Sequence, residues 1–102
     1  MRKILNGRRY DTDTAREMAS WSNRLGYSDF GNCAETLYLK ITGEYFLYGE
    51  GGPLTRYSES VPSGGWTGGY DIVPLAIEEA REWAESHCDS FEYEEIFGEV
   101  AE

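Results

Sequence analysis

Four carboxylates, Glu78, Glu82, Glu85 and Asp89, recur along one stretch of the chain at helical spacing. At about 100° per residue they fall within about 60° of one another on an α-helix. Ile77, Ala80, Ala84 and Cys88 take the opposite side, with Trp83 and His87 at its margin, so one face can pack while the other carries a stripe of charge. The stripe is about 16 Å long, with a charge every 4–6 Å or so. That is the scale of phosphate spacing along a nucleic-acid strand. The chemistry open to it is electrostatic: it repels DNA, RNA and anionic membranes, and it suits a basic protein surface that ordinarily holds a nucleic acid.

A solubilising helix face is the bland alternative, and such faces are common. Two features argue against it. The acids run on through Glu92, Glu94, Glu95, Glu99 and Glu102, and Glu79 adds to the first turn. Only Arg81 interrupts them, where an ordinary solvated helix mixes signs through i,i+4 pairs. Neighbouring acids about 6 Å apart repel by roughly 0.7 kcal/mol in bulk water, less in salt, which a stable domain tolerates.

Other chemistry is weaker. A solvated row of carboxylates lacks the desolvation that separates an acid from a base, so no glycosidase-like pair stands out. No EF-hand spacing is present, and Cys33, Cys88 and His87 are too few for a structural zinc site. His87 and Cys88 are adjacent and point about 100° apart on a helix, a poor nucleophile–base geometry. Gly49-Glu-Gly-Gly-Pro53 follows an expected strand but lacks the Lys-Ser/Thr of a phosphate loop. No cofactor or metal is expected, and a non-enzymatic role is.

The elements that must position the stripe belong to one domain, residues 1–102, long enough for one modest core. Charge is divided unevenly: residues 1–25 carry a net +3, residues 26–77 a net −4 and residues 78–102 a net −9. Lys3-Ile-Leu, Asn6-Gly7 and Arg8-Arg-Tyr10 have the form of a hairpin about an Asn-Gly turn. Thr14-Ala-Arg-Glu17 has the form of a capping box and predicts a helix to about Trp21 or Ser22, burying Met18 and Trp21. Asn23 to Asn32 is a polar loop carrying Tyr27 and Phe30. Ala34 to Thr42 alternates, with Leu37, Leu39 and Ile41 on one face, and Glu44 to Tyr48 returns beyond Gly43 as its partner strand.

Gly49 to Gly69 holds seven of the twelve glycines and reads as a functional or partly ordered loop. Its Tyr57 and Trp66 either fold back over the sheet or stand exposed as interface anchors; burial is the expected fate of Trp66. Tyr70 to Leu75 reads as an edge strand because Pro74 cannot donate to a ladder. The acidic helix then begins near Leu75. Asp89 or Ser90 caps a second helix, which Gly98 stops. The expected fold is α+β: a small antiparallel sheet of three to five strands, packed with an N-terminal helix and C-terminal acidic helices. Met1-Arg-Lys leads into only two apolar residues, so no export signal or membrane segment is expected. The cysteines are expected as free thiols in a cytoplasmic protein, with a Cys33–Cys88 bridge left open.

Tyr10-Asp-Thr12 before Thr14-Ala15, Thr42-Gly-Glu-Tyr-Phe-Leu-Tyr-Gly-Glu-Gly-Gly-Pro53, Pro74-Leu75 with Glu79-Ala-Arg-Glu-Trp-Ala-Glu85, and Tyr93-Glu-Glu-Ile-Phe-Gly98 resemble a family of small acidic proteins of phages and integrative elements, chiefly of Gram-positive bacteria. The resemblance carries no catalytic residues. Its setting implies an anti-defence role of the kind played by anti-CRISPR proteins that imitate DNA. The expected partner is a basic nucleic-acid-binding protein, such as a CRISPR effector, met by Glu78, Glu79, Glu82, Glu85, Asp89, Glu92, Glu94 and Glu95. The protein is expected as a monomer or homodimer. The alternative is a regulatory module acting through the 49–69 loop with Tyr57 and Trp66.

Overall fold

A four-stranded antiparallel sheet forms the middle layer of the computed structural model, which covers Met1–Glu102. Ahead of it, β1 (Arg2–Leu5) and β2 (Arg8–Asp11) form a separate hairpin. Asn6 and Gly7 make its turn at φ of 52° and 75°, the positive values that a two-residue turn of this type needs. The sheet runs β3 (Arg16–Ser22), β4 (Cys33–Leu39), β5 (Tyr45–Gly51) and, after a two-residue hairpin of β6 (Glu59–Ser60) and β7 (Trp66–Thr67), β8 (Gly69–Leu75). The chain ends in α1 (Ile77–His87) and α2 (Ser90–Phe97). The α+β architecture with acidic C-terminal helices is therefore present.

The N-terminal helix is not. Residues 16–22 form β3, paired with β4 through a bulge between Glu17 and Ala19. The isolated signals at Thr14–Glu17 favour a helix of only about two turns, marginal by itself. Pairing instead covers the edge of β4 and buries Ala19 against Leu37, so tertiary burial overrides local propensity. The bulge explains the missed pattern, since it shifts the phase of a period-two strand by one residue. Asp11 Oδ1 accepts from Asp13 N at 2.9 Å, and its carbonyl oxygen from Ala15 N at 3.1 Å, turning β2 toward β3.

The β4–β5 hairpin forms as expected, with Leu37 facing Leu47. Ile41 does not join its inward face and is 100% exposed. The strand ends at Leu39, and Lys40–Gly43 closes a tight turn, Gly43 at φ 92°. At the far edge Pro74 lies opposite Phe46 in β8, where no further strand needs its missing N–H.

The two sheet faces are covered differently. On one, Leu37, Leu47 and Ala19 pack against Ala80, Trp83 and Ala84 of α1. On the other, Phe46 and Ile72 pack against Tyr10 of the hairpin, the Tyr10 and Phe46 rings meeting edge-on at 5.6 Å. Leu37, Phe46, Leu47 and Ile72 are the largest fully buried side chains, each worth about 1.5–3 kcal/mol of burial. No helix is long and apolar enough to cross a membrane.

Candidate functional site

Helix α1 is held to the sheet by Ala80, Trp83 and Ala84, all buried. Small residues at 80 and 84 bring the helix axis close, and Trp83 fills the space beside them. Its outer face follows from that anchoring. At about 100° per residue, Glu78, Glu82 and Glu85 lie diametrically opposite the centre of the buried face, and all three are exposed. Glu79 is exposed too, but its Oε1 accepts from Ala76 N at 2.8 Å and secures the first turn, where an acid also complements the helix dipole.

Asp89 does not continue the stripe. The helix stops at His87, and Cys88 turns extended at φ −105°, ψ 158°. Asp89 becomes the N-cap of α2, its Oδ1 accepting from Glu92 N at 2.8 Å while Glu92 Oε1 reaches back to Asp89 N. The capping signal therefore outcompetes continuation of one long helix, and the array is bent rather than straight. Gly98 ends α2 at φ 91°, as its place in the sequence requires. Glu95 is exposed; Glu94 is half-buried, its Oε2 accepting from Val100 N at 3.2 Å.

None of the acids from Glu78 to Glu102 forms an ion pair. The four salt bridges lie elsewhere: Lys3 with Asp71, Arg8 and Lys40 with Glu44, and Arg56 with Glu35. Of the six cations in residues 1–25, Lys3 and Arg8 are engaged in this way, and none of the six pairs with an acid of the C-terminal helices. Arg81, the one cation among the acids, lies over the Phe97 ring at 5.7 Å. Thr42 and Lys40 together hold the Glu44 carboxyl below the usual range.

Trp66 stands exposed where burial was expected, and of the two fates open to Tyr57 it takes burial. Trp66 is 65% exposed, because β7 pairs only with the two residues of β6 and no layer lies over it. Tyr57 is buried and cannot touch a partner. Its ring lies over Gly49, where a Cβ would overlap it, and its hydroxyl donates to Glu35 Oε2. Burial and the Glu35 carboxylate push the Tyr57 phenol strongly up.

Glu35, which sequence reasoning passed over, is the sole buried charged residue. Trp83 Nε1 donates to its Oε1 at 3.0 Å, and Arg56 Nη1 stands 3.9 Å from Oε2. One carboxylate thereby ties β4, the glycine-rich segment and α1 together. A clue was available: Glu35 falls on the inward side of β4 with Leu37 and Leu39, where a charge requires partners. The thiols of Cys33 and Cys88 are free, and burial pushes both up, away from the thiolate that nucleophilic chemistry uses. His87 is packed between the rings of Trp21 and Trp83, 4.2 and 5.1 Å from their centroids. No three His, Cys, Asp or Glu side chains converge as metal ligands.

Compared with protein-family models, curated proteins and solved structures, the chain matches none of them.

Proposed function

We propose that the protein is a non-enzymatic inhibitor that binds a basic, nucleic-acid-handling protein by presenting α1 and α2 as a decoy for a polyanion. The observation that carries this reading is the absence of any ion pair to the ten acids of residues 78–102, seven of which stand on α1 and α2, with α1 held to the sheet by its opposite face. A solubilising surface gains from mixed signs, whereas a decoy requires its charges unspent. The resemblance to small phage and mobile-element proteins favours an anti-defence, anti-CRISPR-like setting, with a CRISPR effector as the target.

Lys and Arg groups that otherwise grip phosphates would close on Glu78, Glu82 and Glu85, with Glu79, Asp89, Glu92, Glu94 and Glu95 extending the contact. Association is then fast and falls steeply with salt. The test is competition: DNA binding by the captured target, followed by gel shift with rising amounts of the protein. The triple variant Glu78→Lys, Glu82→Lys, Glu85→Lys should lose competition by about a thousandfold, each reversal costing roughly tenfold. All three positions are exposed, so the fold should survive. Undiminished competition by that variant rules the decoy out.

A second reading, a regulatory module acting through the 49–69 segment, is favoured by the exposure of Trp66. Trp66→Ala separates the two: it abolishes binding through this segment and leaves a charge decoy intact.

A further inference from the structure

The loop of residues 23–32, the ends of β5 and β8 and the β6–β7 hairpin enclose a cleft of about 850 Å³, within the size range of pockets that bind ligands or side chains. Its aromatic wall is open to solvent: Tyr27 is 98% exposed, Phe30 65% and Tyr70 57%. Asp29, Glu50 and Glu59 line it as well, and none of the three takes part in a salt bridge.

The wall is fixed. Leu54 N and Gly52 N donate to the carbonyl oxygens of Phe30 and Asn32, each at 2.9 Å, and Asn32 Nδ2 donates to Tyr27 O at 3.1 Å. At Gly51, Gly52, Gly68 and Gly69 a Cβ would collide with the backbone oxygens of Asn32, Phe30, Gly51 and Tyr57, so these glycines let the segments that line the cleft pack tightly on one another. Open π faces beside uncompensated carboxylates match one chemistry, a cationic side chain stacked on a ring and neutralised by an acid. Neutral ligands would leave the three charges unanswered.

We propose that this cleft is a second contact for the protein partner and takes a partner segment bearing Arg or Lys. The cation sits among Tyr27, Phe30 and Tyr70, with Glu50 and Glu59 as counter-ions. The inference rests on the reading that the partner is basic, but it concerns a surface separate from the acidic helices.

Amide NMR with a hexa-arginine peptide as probe tests it, because the two surfaces report separately. Gly51, Gly52, Gly68, Gly69 and Tyr70 report on the cleft, and Glu78 to Glu95 on the helices. The expected result is a saturable shift of the cleft set. Glu50→Gln with Glu59→Gln should weaken that response about tenfold, and Tyr70→Ala about fivefold, with the helical set unchanged. Both variants alter exposed side chains, and unperturbed amides elsewhere verify the fold. If only the helical set moves, the cleft proposal falls and the decoy reading stands. If only the cleft set moves, the decoy reading loses its support and the cleft stands. An equal response to a hexa-serine peptide or a neutral oligosaccharide overturns the requirement for a cation.

Discussion

Glu35 and Glu82 are glutamates on elements packed against each other, yet their surroundings are opposite. Glu35 is buried in the sheet and answered by Tyr57, Trp83 and Arg56. Glu82 stands in solvent on the far side of α1 with no cation within ion-pair distance. A buried charge persists in a fold only when donors replace its lost water. An exposed charge needs no partner to be stable and remains free for one outside the molecule. The difference divides the carboxylates into those that hold the protein together and those available for recognition.

Removing Glu35 should have the largest effect. Glu35→Ala leaves the Tyr57 hydroxyl and the Trp83 indole N–H buried without an acceptor and opens a cavity beneath α1. The expected loss is about 3–5 kcal/mol of unfolding free energy, read from urea denaturation. A loss below about 1 kcal/mol would place Glu35 with the surface acids and dissolve the distinction.

Gly49→Ala attacks the same junction from the backbone side. The new methyl occupies the position of the Tyr57 ring, so the ring must move and its bond to Glu35 is lost. About 2–3 kcal/mol of destabilisation is expected. The informative measurement is the cycle with Tyr57→Ala: once the ring is gone, adding the methyl should cost little, and the two changes should be strongly non-additive. Additive costs would mean that Gly49 serves some end other than making room for Tyr57.

These junctions were the part least legible in the sequence. The Asn6-Gly7 turn, the β4–β5 hairpin, the edge position of Pro74 and the caps of α2 are local: each depends on a few adjacent residues and on the φ values or donors they supply. Fold class followed from these. The β3 strand was hidden because its bulge breaks the alternation, and because its reason for existing, the edge of β4, lies elsewhere in the chain. The Tyr57–Glu35–Trp83 link joins residues 22 and 48 positions apart, and no periodicity reports such a contact. Trp66 was misplaced for a similar reason: its hydrophobicity is evident from its type, whereas the lack of a covering layer is a property of topology. Of the recognition surface, the exposed face of α1 and the restart at Asp89 were legible from local spacing; that Asp89 leaves the α1 stripe was not, since helix continuation and helix restart share the same residues.

Asp89 gives the smallest and most discriminating test, because it belongs to both classes. It is exposed and anionic, yet its carboxylate accepts from Glu92 N at the start of α2. Asp89→Ala should cost about 1 kcal/mol through the lost cap. Asp89→Asn retains an acceptor at the cap and removes the charge, so it should stay within about 0.5 kcal/mol of the parent, as Glu82→Gln should. On the partner side the ordering changes. If recognition is electrostatic, Asp89→Asn and Glu82→Gln should slow association by similar small factors at low salt and converge with the parent at high salt. A weaker effect at Asp89 would show that the bend at Cys88 turns the second helix away from the partner and confines the recognition surface to α1. An equal effect would require the partner's cationic surface to follow the elbow onto α2.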